Sequence, residues 1–122
     1  MSTNSLEFQC TAASGEATLV SIDPASLVIA GWAGRDSAAV EAHIKELEEI
    51  GVARPRRTPM FYRLAPSLVT VDAAMDVVGR EATGEAEVVL VNADGALCIG
   101  IGSDHTDRKL EAVGVTLSKQ IC

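Results

Sequence analysis

One stretch in the last third of the chain constrains the architecture more than any other. From Glu85 to Asn92 the sequence alternates Glu, Ala and Glu, then turns apolar through Val88-Val89-Leu90-Val91. Ala93-Asp94-Gly95 supplies turn chemistry, and Ala96-Leu97-Cys98-Ile99-Gly100-Ile101-Gly102 runs back. Two β-rich runs flanking an Asp-Gly turn predict an antiparallel hairpin. Successive side chains on a strand alternate faces, so Glu85 and Glu87 point the same way. Two carboxylates on one face repel each other and lose hydration unless a cation lies between them. Asp104, in Ser103-Asp104-His105-Thr106-Asp107-Arg108, offers a third carboxylate. Together the three would make an oxygen site for a hard divalent ion, Mg²⁺ or Mn²⁺. The plainer reading is two solvated acids on an exposed strand and a turn aspartate.

The other elements are short. Leu6–Cys10 and Ala17–Ile22 read as strands, with a turn at Ala12–Gly15 and a stop at Asp23-Pro24, and Leu27–Trp32 reads as a buried strand or a strand-to-loop edge. A helix follows, capped by Asp36 or Ser37 and ended by Gly51, with Val40, Ile44 and Leu47 as its apolar stripe. Prolines 55 and 59 keep the next loop irregular. Met60–Leu64 is expected to be extended, with Leu68–Val71 and Met75–Gly79 as further short strands. A final helix is expected from about Asp107 to Gln120, capped by Thr106, with Leu110, Val113, Leu117 and Ile121 on one face. About seven strands and two helices define one α+β, mainly β domain over residues 1–122.

Composition narrows the function classes. A net charge of −7 disfavours nucleic acid and anionic membrane as partners, because both need a basic surface. Aromatic residues make up 3% of the chain, so the core must be aliphatic. The three cysteines, Cys10, Cys98 and Cys122, are odd in number and show no CxxC spacing, which points away from a disulfide framework and towards reduced thiols in the cytoplasm. No signal peptide is read at the N-terminus, and no apolar run approaches the roughly 20 residues that span a bilayer.

His43 and Glu46 lie three apart on the predicted helix and share a face. They read either as a polar patch on an amphipathic helix or as a dyad in which Glu46 polarises His43 for proton transfer. The glycines flanking this helix would suit a mobile lid. Arg54, Arg56 and Arg57 are either a solvated loop or an attractor for an anionic substrate. Lys119 is either a surface lysine or a cation for a carboxylate. Gly100-Ile101-Gly102 fails as a dinucleotide loop, because His105 stands where the third glycine belongs. Asp104-His105-Thr106-Asp107 is a weaker candidate for a local transition-metal site.

In order along the chain, these residues resemble the fumarylacetoacetate hydrolase superfamily. The likeness rests on the His-x-x-Glu of His43–Glu46, the stretch Pro59–Leu68 ending in Pro66-Ser67-Leu68, Glu85-Ala86-Glu87 entering a hydrophobic strand, Ser103-Asp104-His105-Thr106-Asp107-Arg108, and a downstream Lys119. Gly31-Trp32-Ala33-Gly34-Arg35-Asp36 and the segment Gly102–Arg108 are similar to a bacterial branch known as a domain of unknown function (2848), over about residues 27–122. The resemblance implies a fumarylacetoacetase-like mixed β-sheet or barrel with an N-terminal helical lid. It implies Mg²⁺ or Mn²⁺ on Glu85, Glu87 and Asp104. Catalysis would fall to His43, Glu46 and Lys119, and a small anionic oxo acid would be held by Lys119, Arg63 and Tyr62. The implied activity is cleavage of a carbon–carbon bond in an oxo or diketo acid, with oxo-acid decarboxylation, isomerisation, or noncatalytic binding or assembly on the same fold as alternatives. Members commonly dimerise, so a homodimer is among the expected partners. Arg63 and Ser103 depart from the lysine and asparagine usual in the superfamily. The later barrel strands are also missing, so the chain reads as the N-terminal part of a longer protein, incomplete at its C-terminus.

Overall fold

The computed structural model describes residues 5–122, which form a small, mainly β structure with two α-helices. Strands β1 (Leu6–Thr11) and β2 (Ala17–Ile22) form an N-terminal hairpin. β3 (Leu27–Gly31) pairs antiparallel with β4 (Met60–Leu64), and helix α1 (Ser37–Glu49) lies between them in sequence. β5 (Ala82–Thr83) pairs with β8 (Thr106–Asp107), and β6 (Ala86–Ala93) with β7 (Ala96–Ser103). A short helix α2 (Val115–Gln120) packs on β4 and β8. Every sheet among the described residues is two-stranded and antiparallel, so no barrel closes among them.

The last two sheets are two ends of one ribbon. Between them Glu85 and Asp104 exchange both backbone hydrogen bonds, at 2.8 and 3.1 Å, and Arg108 N–H donates to the Glu81 carbonyl at 2.9 Å. The register does not slip across this junction: Ala82 faces Asp107, Thr83 faces Thr106, and Ala86 faces Ser103. At the far end Asp94 (φ 51°) and Gly95 (φ 87°) form a two-residue turn with both central residues left-handed, which suits the twist of a hairpin. The Asn92 side chain accepts from Gly95 N–H at 3.0 Å and closes it.

Helix α1 follows its sequence signals. Asp36 caps it by accepting from the backbone N–H groups of Ala38 and Ala39 at 2.9 and 3.2 Å. Gly51, at φ 93°, turns the chain out, while Gly51 N–H and Val52 N–H bond back to Glu48 and Leu47. The helix buries Ile44 and Leu47, and these form the apolar core with Leu6, Val52 and Leu64. One face of the β6–β7 ribbon stays open instead. Val88 lies opposite Ile101 and Leu90 opposite Ile99, and all four are exposed, Ile101 at 87%.

Three expected elements are absent or reduced. Leu68–Val71 and Met75–Gly79 form no strands: Pro66–Leu68 is a single 3₁₀ turn, the Thr70 hydroxyl accepts from Asp72 N–H at 3.0 Å, and Gly79 adopts φ 87°. These local turns compete with strand pairing. The last helix covers Val115–Gln120 alone. Thr106 is a strand residue rather than a cap, Asp107 accepts from Leu110 N–H at 2.9 Å to start a run of turns, and extended backbone at Gly114 separates those turns from α2. Val113 is accordingly 72% exposed rather than part of a helical face. No helix among the described residues is long and apolar enough to cross a membrane.

Candidate metal centre and its cleft

The ribbon's register gathers the three carboxylates. Glu85 and Asp104 are direct cross-strand partners, and Glu87 lies two residues along on the same face. One oxygen from each of Glu85, Glu87 and Asp104 lies within 4.8 Å of the others. Gly102 is the partner of Glu87, and a Cβ there would come within 2.7 Å of Val89 Cγ2, so the position next to Glu87 is kept free of side chain.

Two cations flank the cluster. Arg108 pairs with Glu85 at 2.6 Å and is held in place by Thr83 Oγ1 at 2.9 Å and Glu111 at 3.2 Å. Lys119 Nζ pairs with Asp104 Oδ2 and donates to Thr106 Oγ1 at 2.9 Å. Lys119 and Asp104 are both buried, with 9% and 8% of their side chains exposed. Arg108 and Lys119 stand against Glu85, Glu87, Asp104 and the Glu111 carboxylate that also holds Arg108, which leaves the network two negative charges in excess. Glu87 has no ion pair of its own among the described residues. Partial burial lifts its pKa above the usual carboxylate value, and the charges of Asp104 and Glu85 add to this while Lys119 opposes it. A divalent cation accepting these oxygens would relieve that repulsion, and three carboxylate oxygens are the donor set hard ions prefer.

A cleft of about 780 Å³ opens over the cluster, lined among others by Trp32, His43, Tyr62, Glu87, Asp104 and Lys119. His43 is therefore brought to the same cavity as the carboxylates. Its pairing with Glu46 is loose: Nδ1 to Oε2 is 3.7 Å, longer than a hydrogen bond, and both side chains are more than half exposed. The contact that does hold the imidazole is aromatic, since the Trp32 and His43 ring centres are 5.6 Å apart and tilted by 45°. Trp32 Nε1 also donates to the Tyr62 hydroxyl at 3.1 Å. The fit is tight, because a Cβ at Gly31 would come within 2.8 Å of the Tyr62 ring.

Arg63 does not join the site. On β4, Tyr62 and Leu64 face inward, while Arg63 shares the outer face with exposed Phe61 and pairs across with Val28. Neighbouring strand residues point to opposite faces, so Tyr62 and Arg63 cannot both reach one cleft. The arginine loop lines an adjoining groove of about 580 Å³, which meets the cleft at Trp32, Gly34 and Val40. There Arg54 is taken up by Glu41 at 2.6 Å and Glu48 at 3.2 Å. Strand alternation likewise sends His105 away from Asp104, which undoes the local transition-metal reading.

Two residues at the site carried little sequence signal. Arg108 sits inside the quoted Ser103–Arg108 segment, yet its role as the cation for Glu85 depends on the ribbon register. Trp32 follows a glycine at a strand end and adopts φ 60°, in the left-handed region where bulky residues are rare. Such an outlier tends to mark a functional position.

Fold and cluster thus define a small mainly-β protein with an acidic, aromatic-walled cleft. Residues 30–122 match the model of a family described as "Protein of unknown function (DUF2848)", and the chain belongs to that family. No curated protein and no solved structure matches it.

Proposed function

We propose that this chain carries the metal site of a divalent-metal-dependent hydrolase or lyase that cleaves a carbon–carbon bond in a small oxo or diketo acid, on a fumarylacetoacetase-like fold. The observation that carries the reading is the convergence of Glu85, Glu87 and Asp104 in one cleft with His43 and Lys119. Mg²⁺ or Mn²⁺ bound there would supply positive charge against the oxygens of an oxo acid. The chain's own residues divide the remaining work. Lys119, paired with Asp104 in the metal-free protein, would meet a substrate carboxylate once a metal takes up the Asp104 oxygens, and Tyr62 offers a hydroxyl from the wall. His43, on helix α1, would hold or move a proton, with Glu46 orienting and polarising it. The excess negative charge of the cleft favours the metal first and an anionic substrate only after it. A cytoplasmic location suits the free thiols, and the open apolar face of β6–β7 suits a homodimer.

A second reading has its own support. Because Arg108 and Lys119 already neutralise Glu85 and Asp104, the cluster can serve as a structural ion network in a noncatalytic binding or assembly domain. Decarboxylation and isomerisation of oxo acids use the same parts and remain alternatives on the catalytic side. Titration of Mn²⁺ followed by its paramagnetic signal separates the two readings. A single saturable site, lost in Glu87→Gln and retained in His43→Ala, is expected for a metal centre. No site in folded protein would discard it.

A further inference from the structure

Cys10 and Cys98 are 88 residues apart in sequence, yet their sulfurs lie 3.8 Å apart. Cys10 is on β1 of the N-terminal hairpin, and Cys98 is on β7, on the same ribbon face that carries Asp104 at its other end. Gly100 and Gly102 lie between Cys98 and Asp104 on that face and add no side chains of their own to it. The hairpin precedes the segment that matches the family, and the sulfur pair joins it to the ribbon that bears the carboxylates. Both thiols are half-buried, while the third cysteine, Cys122, is engaged elsewhere with the Ser118 carbonyl at 3.4 Å.

We infer that Cys10 and Cys98 are an oxidation site, a dithiol that closes to an internal disulfide and fastens the β1–β2 hairpin to the β6–β7 ribbon. The sulfurs, 3.8 Å apart, must approach to the roughly 2.05 Å of a disulfide. The oxidant is a low-molecular-weight disulfide such as oxidised glutathione. One protein thiolate attacks it, forms a mixed disulfide and releases one small thiolate. The second protein thiolate then attacks the mixed disulfide at the protein sulfur and releases the other. Two protein thiols and one small disulfide become one protein disulfide and two small thiols. Burial pushes the Cys10 thiol above its ordinary range, with Cys98 adding to the shift. The thiolate is the attacking species, so closure speeds up as pH rises towards that range.

The experiment incubates the purified full chain, and its Cys122→Ser variant, with oxidised glutathione, then reads intact mass, the linked peptide and the melting temperature. The expected product is a monomer lighter than the reduced chain by two hydrogens. Its linked peptide joins Cys10 to Cys98, Cys122 remains open to alkylation, and the melting temperature rises by several degrees. Cys10→Ser and Cys98→Ser should each lose both the linkage and the rise. Glutathione adducts on Cys10 or Cys98 with no linked peptide, or cross-links running only through Cys122, would overturn the inference.

Discussion

The buried pair of Lys119 and Asp104 allows the most direct quantitative test of how the cleft is built. Replacing Lys119 by Met keeps most of the side-chain stem and removes the charge. Asp104 then loses its counterion while 8% exposed, and Thr106, which is fully buried, loses its donor. The network's excess charge goes from two negative to three, because Arg108 is the one cation left against Glu85, Glu87, Asp104 and Glu111. Removing one partner of a buried pair costs about 3–5 kcal/mol, most of it from stranding the other charge. A chain of this size loses roughly 3–5 °C in Tm per kcal/mol, so a fall of about 10–20 °C is expected. Urea unfolding followed by circular dichroism supplies the free energy directly. Asp104→Asn placed on top of Lys119→Met should restore a large part of the loss, since the stranded charge is gone, and the cycle should give a coupling of more than 1 kcal/mol. A loss below about 1 kcal/mol in the single variant, or no recovery in the double, would show that the two side chains are solvated and that the cluster is not the tight unit described above.

Two further outcomes follow from the cleft. The folded pKa of Glu87 lies above its unfolded value, so its contribution to stability is present at low pH and is lost as pH rises through the raised pKa. Glu87→Gln in metal-free protein should therefore melt higher than the wild type at pH 7, with the gap closing below pH ~4, and melts in chelator across that range check the sign. Trp32→Phe keeps a ring beside His43 but removes the donor to Tyr62, at a cost of about 0.5–1.5 kcal/mol; Tyr62→Phe should cost a similar amount by chemical denaturation, with the double variant losing less than the sum.

What the sequence made legible were features decided within a few residues. The cap at Asp36, the stop at Gly51 and the Asp94-Gly95 turn each depend on local backbone chemistry, and each stands where its residues say it should. The shared face of Glu85 and Glu87 needs nothing more than strand alternation. The same rule applied to Tyr62 and Arg63 would have excluded Arg63 from the cleft, and there the expectation followed family resemblance instead of alternation. The long last helix failed for a different reason: periodic Leu110, Val113 and Leu117 suggested a face, but Asp107 and Gly114 set local turns that a hydrophobic pattern does not register. Contacts that join distant segments were not legible at all. Trp32 against His43, Arg108 against Glu85 and the Cys10–Cys98 pair exist because hairpins and helix dock as they do.

The ribbon register links these observations physically. A strand pattern of Glu-Ala-Glu-Val-Val-Leu-Val looks as though polarity changes halfway along, yet the two faces differ throughout. One carries Glu85, Glu87 and Val89 opposite Asp104, Gly102 and Gly100, and the other carries Ala86, Val88 and Leu90 opposite Ser103, Ile101 and Ile99. The Gly100-Ile101-Gly102 run that fails as a nucleotide loop therefore has a strand function: its glycines leave the carboxylate face open while its isoleucine supplies the apolar one. A slip of one residue would exchange the faces, moving the carboxylates of β6 onto the hydrophobic side and pressing Ile101 against Val89. The two-residue turn at Asp94-Gly95 prevents that slip at one end, and the paired backbone bonds of Glu85 and Asp104 prevent it at the other. The same register that brings the acids together also holds them there against their mutual repulsion, with Arg108 and Lys119 supplying the compensating charge.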